Sequence, residues 1–209
     1  RSIKNIEGYA LHAMDGEIGS AQDFYFDEET WTVRYMVIHT GSWLFGKEVL
    51  ISPYAFTKIN WKNKEISIKL TKEQIQNSPE VDSQWPISRQ KEWEYHTHYG
   101  FPIYWGGPGL WGTEAYPAAM AALYEEQEEN TEEDLGPEKE NQYRLRSTNE
   151  VTGYRIEGLN GKVGHVEDFI IEDDTWCIRY MVVDTRTILP GKKVILSPQW
   201  IKEIDWATS

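Results

Sequence analysis

The stretch Thr30-Trp31-Thr32-Val33-Arg34-Tyr35-Met36-Val37 returns as Thr175-Trp176-Cys177-Ile178-Arg179-Tyr180-Met181-Val182, 145 positions later. The same offset joins Gly8-Tyr9 to Gly153-Tyr154, Gly16 and Gly19 to Gly161 and Gly164, and Asp23-Phe24 to Asp168-Phe169. It also joins Gly46-Lys47 to Gly191-Lys192, Ser52-Pro53 to Ser197-Pro198, and Ile59 and Trp61 to Ile204 and Trp206. Without a gap, 21 of the 54 positions from Gly8 to Trp61 are identical in both copies. Chance does not hold one offset over that length, so the chain is an internal duplication.

Each copy reads as β. Val33 to Ile38 and Ile178 to Val183 are β-branched and aromatic runs. An acidic turn precedes each, Asp27–Thr30 and Glu172–Thr175, and before each turn lies another strand, Gly19–Phe26 or Gly164–Ile171. If the turn centres between Glu28 and Glu29, Asp23 faces Arg34 and Asp168 faces Arg179. Such cross-strand charge pairs stabilise a sheet by a few tenths to about 1 kcal/mol. Trp31, Val33, Tyr35 and Val37 share one face of the strand, and Thr32, Arg34, Met36 and Ile38 the other. Neither face is strongly polar, so both need cover, and the second copy is the expected layer. Further strands are expected at Glu48–Ile51 and Phe56–Trp61, with equivalents at Lys193–Leu196 and Ile201–Trp206. The Ser-Pro pair ends the first of each, because proline cannot donate to a ladder. About six short strands per copy suggest a small closed barrel.

The reading is therefore mainly β: two tandem small barrels, residues 1–79 and 142–209, with a connecting segment at 80–141. Copy one carries an alternating strand at Glu65–Leu70 and a short helix opened by a Thr71/Gln74 capping box. Copy two reaches Ser209 without these, so either the natural chain is longer or another segment completes the copy. The chain opens on Arg1 and not on methionine, as a processed, trimmed or partly observed product would.

In the connecting segment Ser88 caps a helix to about Tyr99, and a second helix runs from Pro117 to about Glu129. Between them Tyr99, Phe101, Tyr104, Trp105 and Trp111 stand among Gly and Pro in a stretch that cannot be regular throughout. It is either a strap packed across the barrels or an exposed recognition surface. The net charge of −13 is concentrated between Glu125 and Glu140, which hold nine acidic residues and one lysine. No cluster of Lys and Arg meets the needs of nucleic-acid binding. One cysteine, Cys177, excludes an internal disulfide and fits a reducing, cytoplasmic setting. No apolar run is long enough to span a membrane.

No catalytic, metal or cofactor site is assigned. His96 and His98 on one helix point about 200° apart and do not converge on a metal. The acidic turns lack the alternating oxygens and glycine of a calcium loop. Cys177 has no base near it in sequence, and no phosphate-cradling glycine motif is present.

The repeated pattern, Gly-Tyr, Gly-x-Ile/Val-Gly, Asp-Phe, Thr-Trp-x-Ile/Val-Arg-Tyr-Met-Val and Gly-Lys-x-Val-x-x-Ser-Pro, resembles the PRC-barrel family, named for the cytoplasmic domain of the photosynthetic reaction centre H subunit. The resemblance covers about residues 1–70 and 146–206, and the Thr71–Pro79 wording is similar to that of stand-alone bacterial tandem members. It implies a small barrel that mediates assembly, and it brings no catalytic residues. The expectation is a non-enzymatic scaffold or adaptor that binds protein partners, as a homo-oligomer. The alternatives are a small-molecule or ion sensor in a cleft near Asp23, Arg34, Asp168 and Arg179, and an accessory of a photosynthetic membrane complex.

Overall fold

The computed structural model describes residues 1–79, 87–126, 144–185, 192–204 and 206. Most of the acidic stretch from Glu125 to Glu140 lies outside them. In chain order the first copy contains α1 (Ile3–Ile6), β1 (Ala10–Ala13), β2 (Gly16–Asp27), β3 (Thr32–His39), β4 (Glu48–Ile51), β5 (Phe56–Asn60), β6 (Glu65–Ile68) and α2 (Lys72–Gln76). The connecting segment contributes α3 (Arg89–Tyr99) and α4 (Pro117–Glu126). The second copy follows with β7 (Leu145–Ser147), α5 (Thr148–Val151), β8 (Arg155–Gly158), β9 (Gly161–Ile171), β10 (Ile178–Asp184) and β11 (Lys193–Leu196).

The protein is mainly β, with two sheets. The first runs β4-β3-β2-β1-β6-β5, with β7 joined to β2, and the second runs β11-β10-β9-β8. Among the described residues no strand pairing closes either sheet into a barrel. Where a strand was expected at Ile201–Trp206, the described residues 201–204 are irregular. Its counterpart β5 is held by β6, which also lies parallel to β1. The second copy has no neighbour of that kind among the described residues.

The hairpin in each copy is as expected, but its register is not. Asp23 lies opposite Val37 and Asp27 opposite Thr32. The expected Asp23–Arg34 pair is therefore absent, and in the second copy Asp168 lies opposite Val182 and not Arg179. The turn is longer than supposed. The Asp27 carboxylate accepts from the amides of Glu29 and Thr30 at 3.0 and 2.9 Å, and Trp31 takes a left-handed backbone at φ 54. Trp176 does the same at φ 59. A bulge then leaves Arg34 between the Phe26–Val33 and Tyr25–Tyr35 pairs, and a matching bulge isolates Arg179.

The two copies interlock through their leading segments. β7 adds to β2, and α5, capped by Ser147, docks beside it. Asp23 accepts from Ser147 Oγ at 2.5 Å, Thr148 Oγ1 at 2.8 Å and the Asn149 amide at 3.1 Å. Reciprocally, Ser2 bridges to Ile170, and Asp168 accepts from Ser2 Oγ at 2.5 Å and the Lys4 amide at 3.2 Å. The copies cross where Val33 donates to Trp176 O and Ile178 donates to Trp31 O. Asp23 and Asp168 are thus structural, but each anchors the opposite copy's helix cap instead of an arginine of its own hairpin.

Candidate interaction site

The two faces of β3 are both covered. Every residue from Thr32 to Ile38 is buried. The expected cover was the second copy, but on the outer side it is the connecting segment. α3 starts at Ser88, whose hydroxyl accepts from the Lys91 amide, and stops at Gly100, which has the left-handed backbone (φ 63) that favours glycine. It lays Tyr95 and His96 on the sheet. Tyr95 Oη donates to Leu50 O at 2.9 Å and accepts from the Ser52 amide at 3.1 Å, so it satisfies the backbone where β4 ends.

Of the five aromatics named as a candidate surface, Phe101, Tyr104 and Trp111 are buried, and Tyr99 and Trp105 are partly so. The segment is a strap, and its rings face the protein. Trp111 is fully buried. It packs edge-on against Tyr54, and its indole donates to Thr175 O of the second copy at 2.8 Å. Arg34 lies 3.8 Å from the Tyr104 ring centre and 4.8 Å from that of Trp111, and donates to Leu110 O at 2.5 Å. A buried guanidinium held this way gains cation–π and charge-assisted contacts in place of water.

Under the strap lies a buried polar cluster that sequence reasoning missed. Arg89 Nη1 sits 3.1 Å from Glu92 Oε1 and donates to Tyr104 Oη at 2.8 Å, while Tyr104 Oη donates to Glu92 Oε2. Tyr35 Oη lies 3.2 Å from the same Glu92 oxygen and 2.9 Å from His96 Nε2. His96 Nδ1 donates to Pro102 O at 2.7 Å. Burial pushes Glu92 up to about 7, outweighing the lowering by Arg89 and by the Tyr104 hydroxyl. Burial also drives His96 down to about 4, against the raising effect of Pro102 O. Shifted groups of this kind often mark catalytic sites, but here α3 and the strap seal them from solvent. Three members, Arg89, Glu92 and His96, lie within two turns of α3, and their successive i, i+3 and i, i+4 spacing was the available signal. His98 points elsewhere, donating to Gln74 O at 2.9 Å. Among the described residues no group of three His, Cys, Asp or Glu is arranged to hold a metal.

Among the described residues, the second copy presents the same sheet face without a strap. Arg179 is exposed and ion-paired with Glu172 at 2.6 Å. Tyr180 is 42% exposed where its counterpart Tyr35 is 1%; Ile195 is 55% where Leu50 is 5%; Trp200 is 73% where Ala55 is 0%. Beside them a cavity of about 420 Å3 is lined by Thr30 and Trp31 of copy one and by Cys177, Arg179, Tyr180 and Gln199 of copy two. Cys177 is buried, and burial holds its thiol above the ordinary range. Arg34 and Arg179 engage different partners from Asp23 and Asp168, so the four charges do not make one ion-binding cleft.

No known family model matches the chain, and no curated protein matches it. No described helix is long and apolar enough to cross a membrane.

Proposed function

We propose that this chain is a non-catalytic scaffold or adaptor, built from two PRC-barrel-type modules, that assembles with protein partners, including further copies of itself, through the strap-free face of the second copy. One observation carries the reading: among the described residues nothing covers in copy two the face that copy one covers with its own strap, and Tyr180, Ile195 and Trp200 are all exposed there. Contiguous exposed aromatics and aliphatics of this size mark interaction sites. The internal comparison shows what such a face receives when it is covered: aromatic side chains on a helix and loop.

The test compares the full chain with an Ile195→Glu/Trp200→Glu variant, using crosslinked affinity capture and light scattering. The wild type is expected to self-associate or retain specific partners, and the variant to lose them with an unchanged melting temperature. A monomeric wild type that retains nothing, or a variant that retains everything, overturns the proposal.

A further inference from the structure

Building on the docking reading above, we infer that the cavity at copy two is a receptor for a tryptophan-bearing turn of a partner protein, related by the internal repeat to the site that holds Trp111. Seven of the cavity's lining residues are Cys177, Ile178, Arg179, Tyr180, Ser197, Pro198 and Gln199. The 145-residue offset maps them onto Thr32, Val33, Arg34, Tyr35, Ser52, Pro53 and Tyr54. The other three, Glu29, Thr30 and Trp31, come from copy one. They map onto Asp174, Thr175 and Trp176 of the second copy.

In copy one that set is occupied. Trp111 packs edge-on against Tyr54 with ring centres 4.9 Å apart, donates its indole N–H to Thr175 O, and is flanked by Arg34, which holds the preceding carbonyl of Leu110. The turn that presents it is self-supporting. Gly109 donates to Gly112 O and Trp111 to Glu114 O, both at 2.8 Å. A Cβ on Gly107 or Gly109 would come within 2.2 or 2.4 Å of backbone oxygen, so the turn needs glycine at both positions.

The same recognition groups line the cavity at copy two. Thr30 O is the counterpart of the indole acceptor Thr175 O. Arg179 is the counterpart of the carbonyl-binding Arg34, at present paired with Glu172 on the surface. The volume lies in the range of small-ligand pockets. One wall differs: Gln199 stands where Tyr54 meets Trp111 edge-on. The occupant is therefore an indole on a tight, glycine-rich turn with a free carbonyl before it. The chain's own turn is already buried in copy one, so the occupant comes from another molecule.

The probe is a dye-labelled peptide of residues Gly107–Tyr116, titrated with the full chain by fluorescence anisotropy. It is expected to saturate at one site, and the same peptide with Trp111→Ala is expected to bind at least about tenfold more weakly. Arg179→Ala in the protein weakens binding about tenfold, and Gln199→Tyr, which restores the aromatic wall, tightens it several-fold. Both variants alter exposed residues and leave the fold intact, which a melting curve checks. Absence of saturation up to about 1 mM, equal binding of the Trp and Ala peptides, or indifference to both variants overturns the inference. Loss of partner capture by Ile195→Glu/Trp200→Glu alongside a failed peptide titration refutes the tryptophan receptor and leaves the docking face standing. Peptide binding with unaltered capture does the reverse.

Discussion

Copy one and copy two share a strand frame and differ in what lies on it. In copy one Arg34 and Tyr35 are buried beneath Tyr104, Trp111 and Tyr95. In copy two Arg179 and Tyr180, the same residue types on the same bulge, meet solvent. The repeated residues thus do not determine burial. What decides it is a segment outside the repeat. Conserved identity between the copies reports the frame, and the difference in cover reports where a second molecule has room.

The sharpest way to break this comparison is to remove the strap's anchor. Trp111→Ala deletes a fully buried indole, its bond to Thr175 O and its contact with Arg34, and is expected to cost about 3–5 kcal/mol in urea unfolding. A cost under 1 kcal/mol would mean that the strap is not part of the cooperative fold.

Next in size are changes that both copies should feel alike. A Cβ on Gly19 would lie 2.0 Å from His39 O, and one on Gly164 2.1 Å from Asp184 O. Gly19→Ala and Gly164→Ala should each destabilise by about 1–3 kcal/mol. Asp23→Ala and Asp168→Ala each leave donors of the opposite copy unpaired and should cost about 1–2 kcal/mol each. A neutral Asp23→Ala would show that the interlock is incidental.

The buried cluster, formed by the connecting segment over Tyr35 of copy one, has no counterpart among the described residues of copy two and gives the covered face a pH signature. Glu92, raised from 4.5 to about 7, binds its proton in the folded state where the unfolded chain has lost it. Its stabilisation is full below pH 4.5 and falls away as pH rises through 7. His96, lowered from 6.5 to about 4, acts oppositely: its contribution is full above pH 6.5 and is lost as pH falls through 4. Between 4.5 and 6.5 the two slopes offset. Glu92→Gln removes one of them, so the variant's stability should rise across that window relative to wild type, by at most about 1.4 kcal/mol per pH unit. Urea midpoints at pH 5 and 6.5 measure it, and parallel curves for the two proteins would exclude the effect. The smallest change is expected at Trp200→Ala, which should move stability by less than about 0.5 kcal/mol because the ring is 73% exposed.

The duplication, the hairpins, the Thr71/Gln74 cap and α3 were legible because each depends on local chemistry. The capping box forms as its spacing demands, and Ser88 and Gly100 bound their helix. The register of Asp23 was not legible. A side-chain-stabilised turn at Asp27, a left-handed Trp31 and a bulge at Arg34 each shift pairing, and none follows from alternation. The exchange of leading segments was hidden for another reason. Ser2 and Ser147 announce helix caps, but nothing in their neighbourhood says which copy's aspartate they will meet. The buried cluster escaped because Arg89, Glu92 and His96 look like an ordinary charged helix until Tyr35 and Tyr104 close over them.

The reciprocal docking of α1 on Asp168 and α5 on Asp23 also bears on symmetry. Each copy lends its first residues to the other, as two subunits of a dimer would. In a homodimer every substitution appears twice, so a loop that covers one face covers its mate as well. Joining the halves in one chain lifts that constraint. One face can then be roofed and made rigid while its twin stays open, and a single chain carries both the lock and a worked example of the key.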